Sequence, residues 1–126
     1  MSIPVEGRPL TVDEERVLDK LLAVDFRGAP ELRAQVPHTR VVGRCACGCA
    51  TVDLEVDRVA TPPALDCPGS PIPAEAIVLG DDGQPIGGVI AFLDGGYLSM
   101  LEIYSHDAPI RQWPSQERLV LDLRTA

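Results

Sequence analysis

The chain has 126 residues, a formal net charge of −8 and a pI near 4.6. That is the length of one domain, and it buries roughly two-thirds of its unfolded surface without needing a metal or disulfide as a staple. The acid surplus excludes the usual basis of nucleic-acid affinity, lysine and arginine on phosphates, and it opposes anionic membranes. The expected partner is another protein, with a basic surface to meet the acidic one.

Residues 1–10 read as an extended arm. They lack the basic and apolar segments of a secretory signal, and no apolar run approaches a membrane span. The expected location is the cytoplasm, in a bacterium: Lys20 is the sole lysine among eleven basic residues, which is the habit of a GC-rich genome. Residues 11–37 read as helical. Thr11-Val12-Asp13-Glu14 is a capping box, and Val17, Leu18, Leu21 and Leu22 follow as one apolar stripe, so a helix is predicted over 12–24. Gly28 breaks it. Pro30 suits the first turn of a short second helix through about Gln35, and Pro37 ends that.

From residue 38 the chain reads as mostly β. Val41 and Val42 lead into the cysteines, and Val52, Leu54 and Val56 alternate with Asp53, Glu55 and Asp57 as a half-buried strand. The proline-rich segment 58–73 reads as an irregular loop. Strands are predicted over 76–79, 86–93 and 97–104, with Asp94-Gly95-Gly96 as a hairpin turn. Leu119, Leu121 and Leu123 alternate like a further strand, and Trp113 is expected to anchor the tail. The fold class is α+β: one or two N-terminal helices on a mainly antiparallel sheet of about five strands, all in a single domain, 1–126. Val52, Leu54, Val56, Ile90 and Phe92 are expected on its dry face.

Three of the four cysteines fall within five residues, Cys45-Ala46-Cys47-Gly48-Cys49, and Cys67 follows in the proline-rich loop. Reduced thiols this close bind soft metals, pair, or do redox chemistry. On a straight strand, residues two apart are separated by roughly 6.5–7 Å, so sharing one ion requires the chain to curl at 46–48, which Gly48 permits. A zinc site would use Cys45, Cys47, Cys49 and Cys67, with His38 as a substitute ligand. Other readings stay open: a reversible Cys45–Cys49 disulfide, copper(I) handling, or small residues that fit a tight turn and bind nothing.

No sequence pattern marks a catalytic nucleophile or phosphate loop, so no catalytic residue is assigned. His106 reads as a surface residue. Simple alternation puts Glu102 on one face with Leu98, Met100 and Tyr104, where a carboxylate needs a partner such as Arg111 or sits at a sheet margin. Glu102, Tyr104 and Trp113 are the candidate partner contacts.

The run Val41-Val42-Gly43-Arg44-Cys45 through Cys47-Gly48-Cys49 to Val52-Asp53-Leu54 resembles small uncharacterised actinobacterial proteins with a cysteine-rich hairpin. Residues 96–104 followed by Trp113-Pro114 look like the C-terminal part of that group. That stretch is also similar, more loosely, to small bacterial immunity-type proteins that end in an L-x-x-L-E-I-Y strand, a resemblance that implies a binding role. The functional expectation is a small binding or regulatory protein whose thiolate hairpin holds zinc, with direct metal handling or thiol redox as the alternative.

Overall fold

Apolar stripes at helical spacing and apolar residues at strand spacing need each other's cover, and here they meet in two layers. The structure, a computed structural model, describes residues 2–123; Met1 of the expected arm and 124–126 of the tail lie outside the described residues. In chain order the elements are β1 (Ser2–Pro9), α1 (Val12–Leu22), α2 (Ala29–Gln35), β2 (Thr39–Cys45), β3 (Val52–Val56), β4 (Ala74–Leu79), β5 (Pro85–Asp94), β6 (Tyr97–Ser105) and β7 (Leu119–Leu123), with 3-10 turns at Val36–His38 and Gln116–Arg118. The fold is α+β, and no helix among the described residues is long and apolar enough to cross a membrane.

The sheet has seven strands, in the order β1-β2-β3-β6-β5-β4-β7, with every neighbouring pair antiparallel. That is more than the roughly five expected. β7 is the segment whose leucines alternate like a further strand. The unforeseen strand is the segment read as an arm: β1 pairs along β2 as an edge strand, with a bulge between Pro4 and Arg8. Its prolines lack the N–H that a central strand must donate, and only an edge tolerates that.

α1 begins with the predicted capping box, formed in both directions between Thr11 and Glu14. Its stripe of Val17, Leu18, Leu21 and Leu22 is fully buried, worth about 2 kcal/mol for each leucine removed from water. The stripe packs against the sheet face that carries Val41, Val52, Leu54, Ala76, Val89 and Leu101.

Ile90 and Phe92 are not on that face. They pair with Glu102 and Met100 on the opposite one, while Val89 and Ala91 point toward the helices. The run from Gly87 to Leu93 is apolar throughout, so alternation carries no information about which half faces inward. Leu98 is likewise separated from Met100, Glu102 and Tyr104. A bulge at Ser99 sets Phe92 opposite Met100 but Leu93 opposite Leu98, and turns Leu98 into the core.

After β6 the chain passes the β2–β3 hairpin, where the Ala50 amide donates to the Ile110 carbonyl at 2.9 Å. It then runs along α1, where Lys20 and Gln116 exchange contacts with the opposing backbone, and reaches β7 at the far edge. This crossing brings residues 110–113 to the cysteines.

Candidate metal centre

β2 ends at Cys45, and the chain turns at once. The Gly48 amide donates to the Cys45 carbonyl at 3.2 Å, and Gly48 has φ +87°. A side chain is disfavoured in that left-handed conformation. A Cβ there would also strike the Arg111 guanidinium, which lies directly against the turn. The expected curl at 46–48 is therefore present. It gathers the Cys45, Cys47 and Cys49 sulfurs to within 4.8 Å of one another.

The base of the turn is fixed by a side chain in place of a ladder rung. The Thr51 hydroxyl donates to the Ile103 carbonyl at 3.2 Å and accepts from the Ile103 amide at 3.0 Å. Regular β3–β6 pairing covers just Val52–Leu101 and Asp53–Met100, so Thr51 extends the contact to the root of the cysteine tip. Threonine in a turn gives no sequence signal for that role.

All four cysteines are free. Cys45 Sγ and Cys47 Sγ are 3.0 Å apart, well beyond a bonded S–S distance of about 2.05 Å. This close contact joins Cys45 to Cys47, whereas the reversible-disulfide alternative names Cys45 and Cys49. The Cys49 amide donates to Cys47 Sγ at 3.3 Å, which orients the exposed middle sulfur over the turn.

Cys49 and Cys47 are pushed in opposite directions. Burial pushes Cys49 up, but hydrogen bonds from Thr51 and from the Cys47 and Cys45 thiols outweigh it and hold Cys49 below the ordinary thiol range. Thr51 has one hydroxyl proton, and it is given to Ile103. The Thr51 amide is therefore the steadier donor to a Cys49 thiolate. The exposed Cys47 thiol moves the other way, raised chiefly by its hydrogen bond with Cys45.

Cys67 does not join the cluster. It sits against Gly28 and beside Leu93, Gly95 and Gly96, at the β5–β6 turn. The cysteine tip is anchored at Ile103, roughly 20 Å further along β6. His38 is equally misplaced, because it precedes the Thr39 end of β2 while Cys45 lies at the other end. Neither can complete a four-ligand site. His106 is exposed, with its ring edge-on to Tyr104.

The proposed partner contacts fall around the thiols. Glu102 and Tyr104 share a cavity of about 370 Å³ with the three cysteines and Asp107. Glu102 takes no ion pair with Arg111, whose guanidinium is at Gly48 instead. The Tyr104 ring lies across Gly88 on β5, in a position where any Cβ at residue 88 would clash. Trp113 is half-buried against the core and lines a second cavity, on the helix side, which it shares with Cys49.

Sequence reasoning missed Thr51, and it named Arg111 only as a partner for Glu102, not as a neighbour of the cysteine turn. They lie far from the cysteines along the chain, or next to them without a motif, and only the folded path of the tail places Arg111 on the tip. Comparison with known proteins returns no match to a family model, to a curated protein or to a solved structure.

Proposed function

We propose that this chain is a small binding protein that holds a soft metal ion, zinc in the first place, on Cys45, Cys47 and Cys49. The observation that carries this reading is the gathering of three sulfurs within 4.8 Å on an exposed turn, with no fourth histidine, cysteine or acid in the group among the described residues. Tetrahedral zinc–thiolate bonds of about 2.3 Å imply S···S edges of about 3.8 Å. The Cys45–Cys47 pair would open by roughly 0.8 Å to accept an ion. The fourth position then belongs to water or to a side chain of a partner protein, and Glu102 and Tyr104 flank that approach. An open position favours an exchangeable ion over a closed structural site, and three thiolates also suit copper(I).

The test is metal analysis of untagged protein purified without chelators, together with alkylation of free thiols. One ion per chain, three protected thiols and a reactive Cys67 are expected, with loading unchanged in Cys67→Ser. Titration with zinc and with copper(I) then ranks the two ions. Metal-free protein that also fails to load in either titration would overturn the reading. The 3.0 Å Cys45–Cys47 contact favours a second reading, reversible pairing of those two thiols, which the same thiol count detects.

A further inference from the structure

Cys49 faces more than the metal cluster. It also lines the cavity of about 540 Å³ on the helix side of the sheet, a volume in the range of small-molecule sites. Arg44 and Arg111 line that cavity too, and neither side chain makes a salt bridge or hydrogen bond to a described residue. In a chain of net charge −8, two unpaired arginines meeting in one cavity are against the trend of the molecule. The other charges facing them do not cancel the pair. Arg8 and Glu14 neutralise each other at 2.9 Å, and Asp13 offsets one arginine, which leaves one positive charge in excess. Trp113 and Val52 supply an apolar wall.

A cavity with an unpaired guanidinium pair, a flat aromatic and a thiol suits a ligand that carries carboxylates near sulfur. We propose that it docks a small anionic disulfide, of the class formed by carboxylate-bearing peptide thiols, and that Cys49 undergoes thiol–disulfide exchange with it. The Cys49 thiolate attacks one sulfur of RS–SR, a Cys49–S–S–R bond forms, and the RS–SR bond breaks. The leaving RS⁻ takes up the proton that Cys49 gave away. The protein thiol is oxidised to a mixed disulfide, and half of the small disulfide is reduced to RSH. Arg44 and Arg111 act as docking residues, pairing with the ligand's carboxylates.

The experiment uses the full chain, reduced and freed of metal, so its outcome is independent of the metal reading. Glutathione disulfide is the anionic probe and 2-hydroxyethyl disulfide the neutral one, with adducts followed by intact mass and located by peptide mapping. The first glutathionyl group is expected on Cys49. In Arg44→Gln/Arg111→Gln, the rate with glutathione disulfide is expected to fall about tenfold, as two exposed ion pairs allow. The rate with the neutral probe should stay within about twofold. Both arginines are exposed, so the variant is expected to fold, and a melting curve checks it. First modification at Cys45, Cys47 or Cys67 would overturn the proposal. So would an equal fall with both probes, which would make the arginines thiol activators, or no fall with either.

Discussion

Glu14 is only 3% exposed and sits where three needs meet. Its carboxylate accepts from the Thr11 amide at 2.8 Å and takes a two-pronged contact from Arg8 at 2.9 and 3.0 Å. One side chain thereby caps α1 and ties β1 to it. Burial works against the charge, but the Arg8 and Thr11 hydrogen bonds prevail and hold the carboxyl below its ordinary range. Since the folded value lies below the unfolded one of about 4.3, the stabilisation is complete above that pH and is lost as the pH falls through the folded value. Glu14→Gln is expected to lose about 1–2 kcal/mol at pH 7, because Arg8 keeps its charge without an anion. The stability gap between variant and wild type should close as the pH drops below about 4. Urea unfolding at a series of pH values measures both, and a gap that stays constant down to pH 2 would show that the carboxylate is not the source.

Between elements, the decisive contacts come from a residue that pattern-reading passes over. Gln35 ends α2 and is completely buried. Its amide nitrogen donates to the Pro62 and Gly96 carbonyls at 3.1 and 2.9 Å, and its oxygen accepts from the Leu98 amide at 3.0 Å. It thus fastens the helix to the proline-rich loop and to the β5–β6 hairpin at once. Gln35→Leu keeps the volume but leaves the Leu98 amide buried without a partner, so a loss of about 2–4 kcal/mol is expected from a denaturant midpoint shift. A shift worth less than about 0.5 kcal/mol would mean that water takes over the bonds. The sequence is legible where a signal is local: the capping box of α1, the alternation of β3, the Asp94-Gly95-Gly96 turn and the curl at Gly48. It is silent where the deciding partner is distant. β1 looks like an arm because its prolines make sense only once β2 supplies an edge. Ile90 and Phe92 look like core because β5 is apolar on both faces, and the bulge at Ser99 leaves no local mark. The same division runs through the site. Three cysteines within five residues announce themselves, whereas Cys67 shares their chemistry but lies by the opposite end of β6, and Arg111 arrives only by way of the tail.

At the scale of the whole molecule, the site and the fold are energetically separate. The core is assembled from α1, α2 and the helix-facing side of the sheet, and none of the three clustered cysteines belongs to it. The three sulfurs lie within five residues, so an ion bound to them closes only a very short loop in the unfolded chain, and closure entropy grows slowly with loop length. The unfolded chain can also present the same C-x-C-x-C segment to the ion, and binding to both states reduces the stabilisation that mass action would give. The contrast is with a site that draws ligands from distant segments, where metal binding and folding are a single event. Removing the ion from loaded protein with a strong chelator should therefore leave far-UV circular dichroism unchanged and lower Tm by no more than about 5 °C, equivalent to about 1 kcal/mol for a domain of this size. The loss should appear locally, as faster amide hydrogen exchange over residues 46–51 and weaker protection of the Ile103 amide, which rests on Thr51 at the root of the tip. Cooperative unfolding on chelation would mean that the ion bridges segments this structure keeps apart, with Cys67 the first to re-examine.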